Sequence, residues 1–376
     1  VREVTGLVID PYFSGSKLTW LLSKHPEIGR DALDGKLAFG TVDSYLVRRL
    51  TAGRAGHVIE ATNASRTLLM DLRTRRWSPE MCELWGVPEA LLPRIVPSAG
   101  IVGVTQGVPG LPDGVPIAGI AGDQQAALFG QGCFQVGDAK CTYGTGAFVL
   151  TNTGGLPVQS RHGLLSTLGW QIGEEVVYAL EGACFVAGAA VQWLRDELRM
   201  VDSAPTCSAL AATVDPADDL YFVSAFTGLG APHWDMYARG LLIGLTRGTD
   251  RARIARAVLD GIAYQVADLI DAMEQDAGML LTDLRADGGA SASEPLMQFQ
   301  ADLLDCRVDR PEDIETTVLG AAFFAGLAVG FWDGMDTIAA LRRTGKVFTP
   351  AMDTDRRTRL RAGWKRALER AKAWES

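Results

Sequence analysis

Hydrophobic and polar positions follow two rhythms along this chain, and the switches between them outline its elements. Residues 115–121 form an apolar run that reads as a short buried strand. The run ends at Gly122, and Asp123, Gln124 and Gln125 then open a helix of small residues. Upstream, helical spacing predicts helices over residues 17–24 and 37–50, the second with Thr41 or Asp43 near its start. A short helix over 80–85 and a second short one come next, punctuated by Pro79, Pro88 and Pro93. Downstream, residues 139–152 read as a β-hairpin around Tyr143-Gly144-Thr145-Gly146, with further strands near 163–170 and 175–180. A helix is expected over 182–200, its first half nearly all small residues, and a strand over 220–226 runs into a glycine-rich loop. A long amphipathic helix spans 251–277, and a strand-to-helix turn at 284–291 leads into another helix ending near 304. Residues 316–332 form a small-residue helix, and 354–374 a helix rich in Arg and Lys whose basic side reads as a solvated face.

Strands and helices alternate, and two of the strands end in Gly–Asp or Asp–Gly–Gly turns. The expected architecture is therefore α/β in two halves divided near residue 131 (1–131 and 132–376). At 376 residues the chain is long enough for two substantial cores.

Composition narrows the function classes. A net charge of −9 argues against a nucleic-acid partner. The longest apolar run, residues 318–332, is shorter than the roughly 20 residues a spanning helix needs, so no membrane association is expected. The six cysteines are scattered without a C-x-x-C pair, which favours buried free thiols in a reducing cytoplasm over disulfides or zinc. No metal-ligating residues are assigned.

Asp123 stands at the carboxyl end of a strand and the start of a helix, where open α/β sheets concentrate ligand chemistry. There it could accept a proton from a substrate hydroxyl, or simply cap its helix. Three glycine-bearing turns, at residues 142–146, 227–230 and 287–289, could cradle phosphate with backbone N–H groups, or could merely be tight turns. None matches a nucleotide-binding G-x-x-x-x-G-K-[ST] or G-x-G-x-x-G pattern. Taken together with Asp123 they suggest phosphate-holding loops opposite a hydroxyl-activating carboxylate, a phosphoryl-transfer layout.

Longer strings sharpen this reading: DPYFSGSK (10–17), NASRT (63–67), GIAGDQQAALFGQG (119–132), TYGTGAF (142–148), FTGLGAPHWD (226–235), DGGA (287–290) and ETTVLGAA (315–322). With these the chain resembles the glycerol kinases, within the sugar- and polyol-kinase family of ribonuclease-H/actin/hexokinase-type fold. The resemblance covers residues 5 to 350 and implies two such domains around a cleft. It implies phosphorylation of glycerol to sn-glycerol 3-phosphate by ATP with Mg²⁺, in a cytoplasmic homo-oligomer. It assigns Asp123 as the general base, with Tyr12 and Gln124 as glycerol ligands beside it and Phe148 as an apolar wall of their pocket. Thr145, Gly188, Gln192 and Gly289 become ATP or ADP contacts.

Two departures from the family pattern carry expectations of their own. Ser293 stands where the pattern has an adenine-contacting Asn, which implies altered nucleotide selectivity. The chain also begins without Met and without the family's first phosphate loop. That implies an incomplete N-terminal domain and a fragment with little activity. A related polyol or sugar kinase and a non-catalytic truncated paralogue are the alternative readings.

Overall fold

The computed structural model describes residues 1–216 and 219–375. Its centre is a nine-stranded mixed sheet. In chain order the strands are β1 (Ala99–Val104), β2 (Pro116–Gly119), β3 (Ala139–Tyr143), β4 (Ala147–Gly154), β5 (Leu165–Ile172), β6 (Glu175–Cys184), β7 (Asp283–Asp287), β8 (Arg307–Pro311) and β9 (Thr344–Phe348). Across the sheet they run β9-β8-β7-β3-β4-β6-β5-β1-β2. Strands β3, β7 and β8 are parallel, and the β3–β4 and β5–β6 hairpins are antiparallel. One parallel pair, Ala99 with Ile172, joins β1 to the rest.

The helices that cover this sheet or border the site are α1 (Ser14–Lys24), α2 (Ala61–Ala64), α3 (Asp123–Gly130), α4 (Gly188–Asp196), α5 (Ala204–Ala211), α6 (Arg251–Ala277), α7 (Glu294–Leu304), α8 (Thr316–Ala328) and α9 (Thr354–Ala371). The main core lies between one sheet face and α6, α7 and α9, with Trp364 stacked on Tyr264 at a centroid distance of 5.0 Å. A smaller core on the other face joins α3 to α8 through Leu128, Phe129, Phe323 and Phe324.

The helix expected over 182–200 is shorter than its composition suggests. Strand β6 continues through Gly182 and Ala183 to Cys184, and the helix begins only at Gly188. The small residues there serve a strand under close cover: a Cβ at Gly182 would lie 2.7 Å from Leu269 of α6. Similarly, the helix expected over 37–50 starts at Val42, the strand at 220–226 shrinks to Tyr221–Val223, and the helix from 316 stops at Ala328. All six cysteines are free and buried. No helix among the described residues is long and apolar enough to cross a membrane.

Candidate active site

Helix α3 places Asp123. Strand β2 delivers the chain to Gly122, whose extended backbone (φ −59°, ψ 149°) makes it the N-cap. The Gly122 N–H donates to Thr62 Oγ1 at 2.8 Å, anchoring the turn to α2. A Cβ at Gly122 would lie 2.5 Å from Gln125 Oε1, so a larger residue there would have to displace that side-chain amide. Asp123 is therefore the first helical residue, and no side chain caps the helix. Among the described residues its exposed carboxylate accepts from Gln124 alone, through N–H at 2.9 Å and Nε2 at 3.3 Å. Asp123 is thus the first residue of the helix and not its N-cap, although its Oδ1 takes up the first-turn N–H of Gln124, and Oδ2 meets only the Gln124 amide among the described residues.

Asp123 and Gln124 line a polar cavity of about 210 Å³ together with Tyr12, Asn63, Arg66 and Glu181. Arg66 and Glu181 form a 2.7 Å ion pair with Glu181 nearly fully buried. Partial burial raises the Tyr12 phenol above its ordinary pKa, with Arg66 opposing and the Glu181 and Asp123 carboxylates adding to the rise. Tyr12, Asp123 and Gln124 are thus brought together as expected. Phe148 is not among the cavity's lining residues. It sits on β4 opposite Thr142 of β3 and Ala183 of β6.

Strands β3 and β7 are parallel neighbours, with Thr142 beside Asp287, so the loops leaving their carboxyl ends lie side by side. From β3 comes Gly144-Thr145-Gly146, and from β7 comes Gly288-Gly289. Gly288 takes φ +81°, and a Cβ there would meet the Tyr143 carbonyl oxygen at 2.7 Å. The start of α4 locks onto the first loop: Gly188 N–H donates to Gly144 O at 2.9 Å and Ala189 N–H to Thr145 O at 3.1 Å. A larger cavity of about 720 Å³ opens here, lined by Thr145, Gly188, Gln192, Gly289 and Ser293 among others. All five residues expected to contact nucleotide share it. Ser293 Oγ lies 2.9 Å from Ser208 Oγ of α5.

Two buried charged groups near Asp123 carried no sequence signal. Lys140, on β3, is fully buried, with Nζ donating to Gln124 Oε1 at 2.5 Å and to Thr142 Oγ1 at 2.9 Å. Burial lowers its pKa, while the carboxylates of Asp287, Glu181 and Asp123 act the other way. Glu60, also fully buried, accepts from Thr62 Oγ1 at 2.6 Å, Ser98 Oγ at 2.6 Å and the Asn63 N–H at 3.1 Å. Burial pushes its carboxyl up to about 7 against those hydrogen bonds. Alternation along β3 puts Lys140 with Thr142 on the face opposite Ala139, Cys141 and Tyr143, the ordinary pattern of a half-exposed strand, so the sequence does not mark its burial.

A small polar cavity of about 210 Å³ holding the Asp123 carboxylate, with a larger cavity at glycine turns on parallel strand ends, defines a small-molecule phosphotransferase. Residues 1–130 match the N-terminal domain of the FGGY family of carbohydrate kinases and residues 139–329 its C-terminal domain; the chain belongs to that family. It is 54% identical over 374 residues to a glycerol kinase of Symbiobacterium thermophilum, covering 100% of this chain and 75% of that protein. The glycerol kinase of Myxococcus xanthus is also 54% identical, over 99% of this chain and 75% of its own length. The crystal structure of Plasmodium falciparum glycerol kinase with ADP superposes with a TM-score of 0.90 at 38% identity, covering 98% of this chain and 74% of that one. The family's N-terminal domain model is matched over residues 1–130, and the chain spans about three quarters of the length of the glycerol kinases it matches.

Proposed function

We propose that the chain phosphorylates glycerol to sn-glycerol 3-phosphate with Asp123 as general base. The observation that carries this reading is the Asp123 carboxylate, which among the described residues accepts from Gln124 alone and lines the small polar cavity. Tyr12 and Gln124 orient the triol. The accepting hydroxyl oxygen attacks the γ-phosphorus of ATP, the bond to the ADP oxygen breaks, and the hydroxyl proton passes to Asp123. Thr145, Gly188, Gln192, Gly289 and Ser293 hold the nucleotide along the larger cavity.

Magnesium carried in with ATP would neutralise charge on the phosphates. Such an ion keeps several waters and takes only one or two carboxylates besides phosphate. The boundary near residue 131 separates a substrate lobe, 1–131, from a nucleotide lobe, 132–376. A cytoplasmic homo-oligomer completes the reading, since buried free cysteines suit a reducing compartment.

The test is a panel of acceptors with the purified protein and Mg·ATP. ADP release should be strongly glycerol-dependent and weak with a pentulose or gluconate. Equal or faster turnover with either sugar, or no glycerol-dependent release, overturns the assignment.

A further inference from the structure

Lys140 is a costly residue to bury, and no step of the phosphoryl transfer uses it. An ammonium has donors only, so the atom it faces on Gln124 must be the amide oxygen. That contact, at 2.5 Å, leaves Gln124 Nε2 turned toward Asp123, where it donates to Oδ2 at 3.3 Å. The second anchor, Thr142 Oγ1, lies on the same strand two residues on, just before the Gly144–Thr145 loop. Lys140 therefore ties the turn bearing the base to the strand that leads into the phosphate side. The charged groups around it are Asp287 of β7, Glu181 of β6 and Asp123 of α3.

We propose that Lys140 is a positioning residue for glycerol: its ammonium fixes the Gln124 amide so that Nε2, and never Oε1, is presented to Asp123 and the substrate cavity. This rests on the glycerol kinase reading. Without Lys140 the amide is free to turn over, placing an acceptor where a glycerol hydroxyl and the carboxylate both need a donor. The effect belongs to the acceptor substrate, since Lys140 is not among the lining residues of the larger cavity.

The test is a double-mutant cycle on steady-state kinetics with Lys140→Met, Gln124→Met and the pair. Lys140→Met should raise the glycerol KM by about 10- to 100-fold, the range of one charge-assisted hydrogen bond, and leave the ATP KM within about twofold. The double variant should be no worse than Gln124→Met alone, because the two side chains act as one unit. Effects that multiply independently, or an ATP KM that rises as far as that for glycerol, overturn the proposal. Should Lys140→Met fail to fold, Thr142→Val removes the second anchor without leaving a buried charge unpaired from Gln124. It should raise the glycerol KM several-fold, and only where Gln124 is present; an unchanged KM contradicts the proposal. Wild-type turnover of glycerol, measured alongside, separates failure of this inference from failure of the functional assignment.

Discussion

Replacing Gly320 by alanine should damage catalysis from a distance, through the helix that carries Asp123. Helices α3 and α8 meet backbone to backbone. A Cβ at Gly320 would lie 1.8 Å from the Ala126 carbonyl oxygen, and one at Gly130 would lie 2.0 Å from that of Thr316. Real Cβ atoms essentially never approach closer than 3.0 Å, so the two helices must part by about 1.2 Å even to reach that limit. Neither obstacle is a flexible side chain, and both helices are held by the Phe129–Phe323–Phe324 cluster. In an open helix, glycine to alanine stabilises by up to about 1 kcal/mol, so the sign of the effect is informative. Overpacking of this kind costs about 1–3 kcal/mol. With an unfolding entropy near 2.1 cal/mol/K per residue, that corresponds to a fall of a few degrees in melting temperature. A displacement of about 1 Å at Asp123 is expected to lower kcat by roughly 100-fold. Melting curves and glycerol-dependent ADP release check both numbers, with Gly334→Ala as a control because nothing lies within 4 Å of a Cβ there. A Gly320→Ala protein with unchanged or raised melting temperature and wild-type kcat refutes the packing argument.

Ser293→Asn should lower the KM for ATP several-fold, since the amide adds a donor and an acceptor to the cavity wall where Ser293 now meets Ser208; an unchanged KM for ATP speaks against it. Glu60 gives the fold a pH dependence. Its carboxyl rises from an ordinary 4.5 to about 7, so the folded chain holds this proton more tightly than the unfolded one. The resulting stabilisation is complete below pH 4.5 and is lost as pH rises through 7, an amount on the order of 3 kcal/mol. Glu60→Gln should therefore flatten the fall in denaturant midpoint between pH 5 and 8, and an unaltered slope would rule this out.

Much of the molecule was legible where local chemistry decides the structure. The helix over 251–277 is read to the residue, because Asp250 caps it by accepting from the Arg253 N–H and Gly278 ends it in the left-handed region at φ +67°. The hairpin around Gly144–Gly146 is announced by its own turn. The misreading of β6 arose where tertiary cover overrode local pattern: small residues that suit a close-packed helix equally suit a strand pressed against α6. The joining of β1 to β5, and the adjacency of β3 and β7 across well over a hundred residues, are nonlocal pairings with no sequence signature. The site divides the same way. Asp123, Gln124, Thr145 and Gly289 sit in motifs that local sequence marks as candidates. Lys140, Glu60 and the Arg66–Glu181 pair owe their positions to burial and to partners distant in sequence, which no spacing reveals.

Asp123→Asn bears on the assigned base more sharply than any other change, because among the described residues the exposed carboxylate bonds to Gln124 alone and its loss should leave the fold intact. The account predicts that kcat for glycerol falls by about 10²- to 10⁴-fold while ATP affinity and melting temperature stay at wild-type values. Retention of more than a tenth of wild-type kcat by the folded variant would contradict it.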